Sequence, residues 1–405
     1  MFLLEDSIMG LLARINISIL LAIGEWLNIP IPETFIGAGS RSKIGAWCKE
    51  HGYKRALIIT DKVVKETGIA DKILDSLIKA GVTYYIYDKV LPNPTVSMSM
   101  EAATIGKTNN VDAVIAIGGG SPIDCAKLAS AAITSKKTIN NLIGIMKVKQ
   151  MPLPLIAIPT TAGTGSEVSA GAVISDDVTH LKSIMISQKI VPQLAVLDGE
   201  TMIGLPKQLT AGTGFDALTH AVEAYIGFHY NADAKPNASE AIAAINKYLK
   251  RAYDNGSDIE ARDALSLASY KAGLAMNKCS LGYAHAFGHR LTGFYDLPHG
   301  MAVGMFLPHV IQYNKKAAEK ELAELAIACG LGKAIEPKDV LADKFGKSIF
   351  ELYDKLKLPK KCDKLKKSDY DQIIKEAFKE TNSTYGVPKY MTRKEAAVLL
   401  DKILP

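Results

Sequence analysis

The chain has eight histidines, and four of them, His220, His285, His289 and His299, fall close together in its second half. Asp216 and His220 stand at i, i+4 in the stretch DALTH, a spacing that puts both side chains on one face of a helix. His285 and His289 repeat that spacing in HAFGH, and His299 follows in LPHG. One carboxylate with several imidazoles suits a divalent first-row metal such as Fe²⁺ or Zn²⁺. A single histidine on a helix is ordinarily a packing residue. Two i, i+4 pairs with a further loop histidine favour a metal site.

A second chemistry is written in small residues. Gly118, Gly119, Gly120 and Ser121 directly follow the apolar run AVIAI, and Pro122, Ile123 and Asp124 then open a helical pattern. Consecutive glycines let a backbone approach a phosphate, and a helix start offers free N–H groups and the positive end of its dipole. Proline near the first helical position fits that geometry. A plain strand-to-helix turn reads the same way, and the loop is not the GxGxxG fingerprint. The stretch Pro159–Val168 (PTTAGTGSEV) is a similar loop after the run LIAI, with hydroxyls at Thr160, Thr161 and Thr164 that could donate to phosphate or ribose oxygens. Asp61 ends the run ALIIT; it reads equally as a ribose acceptor or a helix-capping aspartate.

These residues need elements to carry them. Short β-branched runs at Ala56–Thr60, Val82–Tyr87, Ala113–Ile117, Leu155–Ile158 and Leu194–Leu197 alternate with helical stretches such as Ile69–Ala80 and Ser97–Thr108. That alternation predicts an α/β unit with a mostly parallel, Rossmann-like sheet, whose strand ends gather the two glycine loops and Asp61 at one crevice. After Pro206 the pattern becomes Ala-, Leu- and Lys-rich with helical spacing, in runs such as Ala238–Ala252, Asp258–Met276, Lys315–Cys329 and Arg393–Leu404. We therefore expect an apolar helical extension over residues 1–30, an α/β dinucleotide-binding domain over 31–206 and an all-helical metal-binding domain over 207–405.

Composition narrows the function class. The 405 residues carry 48 basic and 42 acidic side chains, a net +6. The Lys-rich stretch Lys355–Lys367 has no interleaved aromatics for stacking bases, so it reads as a solvated face and argues against nucleic acid. Cys48, Cys125, Cys279, Cys329 and Cys362 are scattered without a CxxC pair, which disfavours a disulfide framework or zinc ribbon and favours a reducing, cytoplasmic setting. Near the amino terminus Leu4, Ile8, Leu11, Leu12, Ile15, Ile19, Ile23 and Trp26 recur at helical spacing. The longest uncharged run there is too short to span a bilayer. The segment reads as a helix packed on the protein body or on a second subunit, with a membrane-surface contact as the sharper alternative.

The loop Gly118–Asp124, the stretch PTTAGTGSEV, the stretch Asp216–Tyr225 (DALTHAVEAY) and the stretch His285–Gly300 (HAFGHRLTGFYDLPHG) occur in order, and together they resemble the signatures of the iron-dependent, group III alcohol dehydrogenases. The resemblance runs from about Thr34 to the carboxyl end, weakening beyond about residue 315. It implies NAD(P)-linked interconversion of alcohols and aldehydes or ketones in a cleft between the two domains, and a homodimer or higher oligomer. It implies Asp216, His220, His285 and His299 as metal ligands and His289 as a proton-relay group near the nicotinamide. It implies Gly118, Gly119, Gly120, Ser121 and Asp124 around the pyrophosphate, Thr160, Thr161 and Thr164 on the nucleotide, and Lys182 and Leu197 on its ribose and nicotinamide side. Asp61 matches the position that disfavours NADP, so the implied cofactors are NAD with Fe²⁺, Zn²⁺ being the alternative ion. Three features depart from the family pattern: the long apolar start, Arg290 after His289, and Gly171 in place of a larger residue. A zinc-dependent polyol or glycerol dehydrogenase is the runner-up. A dehydroquinate-synthase-like lyase would need more basic residues than Lys182 and Arg290, and an inactive binding protein would not need the complete ligand set.

Overall fold

The computed structural model describes residues 13–19, 29–177 and 182–405. Its chain divides into two compact units.

The first unit comprises Asn28–Gly204 with Ser257–Tyr270. Nine strands are described in it: β1 (Glu33–Ile36), β2 (Arg55–Ile59), β3 (Thr83–Tyr87), β4 (Ala113–Gly118), β5 (Gly144–Ile145), β6 (Leu155–Pro159), β7 (Gly171–Ser175), β8 (Lys182–Ile186) and β9 (Leu194–Leu197). Six of them form a parallel sheet in the order β1-β9-β6-β4-β2-β3. Residues 13–19 form a helix, α1. The sheet unit then carries α2 (Ile44–Glu50), α3 (Lys62–Glu66), α4 (Asp71–Ala80), α5 (Val96–Thr108) and α6 (Gly120–Thr134).

The all-apolar central strands follow from burial on both faces, as parallel sheets require. Along β4, Val114 and Ala116 pack into one core with Leu128 and Ala129 of α6. Ala113, Ile115 and Ile117 pack into the other with Trp47 of α2 and Leu77 of α4. The chain runs outward from β2 to β3 and then returns to β4 on the other side of β2. The strand order therefore reverses between β2 and β4, where open α/β sheets bind ligands at their carboxyl ends.

The five strands expected from sequence are present within a residue or two. The edge strand β1 and the small sheet β5-β8-β7, where β7 runs antiparallel to β8, were not anticipated. The segment Ser257–Tyr270, expected in the helical domain, belongs to the sheet unit. Asp263 explains this, because its carboxylate accepts from the backbone N–H of Gly199 at 2.7 Å and of Ala38 at 3.1 Å.

The second unit comprises Leu205–Gly256 and Lys271–Pro405, and residues 13–19 go with it. Its helices are α7 (Lys207–Ile226), α8 (Ala234–Asp254), the end of α9 (Ile259–Cys279), α10 (Tyr283–Tyr295), α11 (His299–Asn314), α12 (Glu319–Ala328), α13 (Lys338–Lys355), α14 (Tyr370–Thr384) and α15 (Arg393–Asp401). From Gly214 to Ile226 every residue of α7 is buried, so α7 is the central helix and its polar side chains must find partners inside. The chain enters α15 through a capping box between Thr392 and Glu395.

In α1, Ala13 and Ile17 are buried while Ile15 and Ile19 are about half exposed, and the Arg14 guanidinium lies over the Phe228 ring. The rest of the apolar stripe, including Leu4, Ile8, Leu11, Leu12, Ile23 and Trp26, lies outside the described residues. Among the described residues no helix is long and apolar enough to cross a membrane. The lysines of Lys355–Lys367 are exposed, as a solvated face should be.

Candidate functional site

Two sets of candidate side chains emerge, one in each unit. In the helical unit, Asp216, His220 and Glu223 lie on one face of α7. α10 brings His285 and His289, and the start of α11 brings His299. Gly300 is what lets α11 approach α7. A Cβ at Gly300 would sit 2.3 Å from the carbonyl oxygen of Gly212 and 3.3 Å from the Cβ of Asp216.

Asp216 is the hub. Its Oδ1 is 3.3 Å from His299 Nε2, 3.7 Å from His285 Nε2 and 3.9 Å from His220 Nε2. The His220 and His285 rings stack with centroids 4.5 Å apart. Asp216, His220 and His285 offer ligand atoms that all lie within 4.8 Å of one another. Asp216 Oδ1 and His285 Nε2 are buried with no hydrogen-bond partner, which is costly unless something binds between them. Tetrahedral ligands on bonds of about 2.0–2.2 Å stand roughly 3.3–3.6 Å apart; the 3.3 Å spacing matches, the 3.7 and 3.9 Å spacings are slightly wider, and the set is too long for good hydrogen bonds. Burial raises the Asp216 carboxyl, but the facing His299 and His220 outweigh it and hold it well below the ordinary value. A buried anion ringed by imidazoles is a donor set for Fe²⁺ or Zn²⁺.

Two carboxylates stand behind the histidines. Glu223 Oε2 is 2.6 Å from His285 Nδ1. Glu380, on α14, is 2.7 Å from His289 Nδ1 through Oε1 and accepts from Arg290 Nη2 at 2.9 Å through Oε2. The Tyr385 hydroxyl also donates to Glu380, and Arg290 Nη1 reaches Glu376 at 3.0 Å. His289 itself stacks on His299 with centroids 5.2 Å apart. Neither Glu223 nor Glu380 was singled out from sequence. Glu223 had a local signal, an acid three residues after His220 on the same face. Glu380 lies 91 residues from His289 and had none.

In the sheet unit, the nucleotide candidates sit at the carboxyl ends of neighbouring strands. Gly118 ends β4, pairs with Pro159 of β6, and accepts from the Thr160 N–H at 3.0 Å. Gly119 and Gly120 open α6, whose start has no side-chain cap, leaving N–H groups for an anion. Ser121, Thr161 and Thr164 are partly exposed, and Thr160 is nearly buried. Asp61 follows β2 and caps α3, accepting from the Val64 N–H at 2.8 Å.

The three other expected contacts lie outside these two loops. Asp124 is buried, and its Oδ2 accepts from the Val173 N–H at 2.9 Å, so it ties α6 to β7. Leu197 is fully buried at the end of β9. Lys182 begins β8, in the small sheet. Lys127 is a buried cation that was not singled out from sequence. Lys127 donates to the carbonyls of Ser169 and Gly171 at 2.8 and 2.7 Å and to Ser169 Oγ at 2.9 Å, clamping the end of the second loop to α6. Burial pushes its ammonium down to about 8. Burial likewise pushes the Glu167 carboxyl in that loop up to about 7.

Comparison with known proteins identifies the family. Residues 32–199 match the iron-containing alcohol dehydrogenase family model, and residues 210–404 match the carboxyl-terminal model of the Fe-containing alcohol dehydrogenase family. The chain is 39% identical to alcohol dehydrogenase 4 of Schizosaccharomyces pombe, over 85% of this chain and 81% of that protein. It is 34% identical to the NAD-dependent methanol dehydrogenase of Bacillus methanolicus, over 92% of this chain and 98% of the relative. A crystal structure of 1,3-propanediol oxidoreductase superposes with a TM-score of 0.89 at 34% identity, covering 93% of this chain and 99% of that one. With the histidine–aspartate cluster on one unit, the glycine loops on the other and both family models matched in order, this chain belongs to the iron-containing alcohol dehydrogenase family.

Proposed function

We propose that this chain catalyses the NAD-linked interconversion of an alcohol and its aldehyde, using iron held by Asp216, His220, His285 and His299. The observation that carries this reading is the buried Asp216 Oδ1 facing three imidazole nitrogens at 3.3–3.9 Å. When bound, the ion supplies Lewis acidity toward the alcohol oxygen, and the nicotinamide supplies the hydride acceptor.

The chain's own residues do the rest. Asp216 contributes the negative charge that balances the cation. Glu380 Oε1 accepts a hydrogen bond from His289 Nδ1–H, which leaves His289 Nε2 as the atom that accepts the alcohol proton and hands it toward solvent. The open start of α6 and the hydroxyls of Thr160, Thr161 and Thr164 hold the pyrophosphate and ribose. A carboxylate at Asp61 accepts from ribose hydroxyls and repels a 2′-phosphate, which favours NAD over NADP. The lyase alternative loses ground, since Arg290 is engaged by Glu376 and Glu380 rather than offered to a phosphate-bearing substrate.

The five cysteines are free thiols, four of them buried, in keeping with a cytoplasmic protein. The buried Ala13 and Ile17 favour α1 as a packed helix over a membrane anchor. The homodimer is tested by sedimentation. For the activity, protein purified without oxygen and loaded with Fe²⁺ or Zn²⁺ is offered ethanol, 1,3-propanediol and glycerol with NAD or NADP. The proposal expects NAD reduction by a simple alcohol. Turnover confined to glycerol with Zn²⁺ would favour the polyol reading, and no turnover with any member would contradict both.

A further inference from the structure

Glu223 is almost completely buried, and its side chain is surrounded by donors. Oε2 accepts from the Gly282 N–H at 2.9 Å and faces His285 Nδ1 at 2.6 Å. Oε1 accepts from the Ala284 N–H at 2.6 Å. Gly282 precedes α10 and has no side chain to cap it, so Glu223 of α7 caps α10 from another helix. Oε2 already accepts from a backbone N–H, so at 2.6 Å it faces His285 Nδ1 as an acceptor and Nδ1 is the donor. With Nδ1 held by Glu223, the ring turns Nε2 toward Asp216 Oδ1 at 3.7 Å, so Nε2 is the atom left to bind an ion.

We propose that Glu223 is a positioning residue for the metal, fixing both the tautomer and the ring orientation of His285 while it locks the start of α10. This rests on the reading that Asp216, His220, His285 and His299 hold the ion. Asp216, His220 and Glu223 then form one unit on α7: two groups reach the ion directly, and the third acts through a ligand on the neighbouring helix. The competing role is helix capping alone, which would affect stability without acting through His285.

A double-mutant cycle separates the two. Zn²⁺ affinity is measured by competition with a chromophoric chelator on the full chain, in wild type, Glu223→Gln, His285→Ala and the double variant. A glutamine has one acceptor oxygen and cannot serve both oxygens' donors. The proposal expects Glu223→Gln to weaken Zn²⁺ binding roughly 10–100-fold in the wild-type background. In the His285→Ala background it expects a further loss of less than about threefold. Equal losses in both backgrounds, or no loss in either, would overturn it. If Glu223→Gln does not fold, Glu223→Asp enters the same cycle, since it keeps the charge for the α10 amides but draws the carboxylate back from His285. The same two outcomes then decide. A wild-type protein that binds no Zn²⁺ or Fe²⁺ would refute the parent metal assignment and this proposal with it. Metal-competent wild type with an additive cycle would refute this proposal alone.

Discussion

Glu167 sits in the loop that follows β6, nearly fully buried, with Oε1 lacking a hydrogen-bond partner. Burial pushes its carboxyl from 4.5 up to about 7, against the nearby Lys127 ammonium. Replacing it by glutamine removes the titration at nearly constant volume. The sign follows from proton counts: between pH 4.5 and 7 the folded state holds a proton that the unfolded chain has released. Wild-type stability should therefore fall as pH rises through this window, by up to about 1.4 kcal/mol per pH unit. Summed across the window, the loss is about 3 kcal/mol. Glu167→Gln should match wild type near pH 4.5 and exceed it by about that amount at pH 8. Urea unfolding of both proteins at pH 5, 6, 7 and 8 measures the difference, and the subtraction cancels the titrating groups that do not interact with Glu167, Lys127 being the neighbour that does. Parallel stability curves across that range would refute the argument that this carboxylate is desolvated and underpaired.

Asp61→Ser should retain the α3 cap, because serine caps as well as aspartate does, while removing the charge. Stability should stay within about 0.5 kcal/mol while the ratio of NADP to NAD kcat/KM rises at least about tenfold; an unchanged ratio would leave Asp61 as a cap only. Gly118 has φ +152°, and a Cβ there would sit 2.5 Å from Pro122 Cγ. Gly118→Ala should therefore strain the loop by about 1–3 kcal/mol and weaken NAD binding in a fluorescence titration, with Zn²⁺ binding unchanged. Glu380→Ala should lower kcat about 10–100-fold with little change in metal content, whereas a simple structural prop would lower thermal stability without that split.

The strands were legible because each central one is a continuous apolar run ended by a turn signal. The four-residue β1 and the two-residue β5 are too short to show a period, and β7 has only Ala172, Ile174 and Ser175 buried. The i, i+4 pairs Asp216/His220 and His285/His289 revealed the ligand candidates because helical spacing is a local property. Glu380 was invisible because its pairing with His289 depends on how α14 packs on α10. Lys127 is an intermediate case: one lysine inside the apolar run IDCAKLASAAI is conspicuous, but its acceptors at Ser169 and Gly171 lie over forty residues away.

The central claim is that Asp216, His220, His285 and His299 hold the ion on which turnover depends. Metal content and NAD turnover measured on the same anaerobically prepared samples of wild type and His285→Ala test it most directly. The account predicts about one ion per chain in the wild type. It predicts that His285→Ala binds the ion too weakly to keep it through purification, losing metal content and turnover together while NAD still binds. A His285→Ala protein that keeps both its metal and its activity would contradict it.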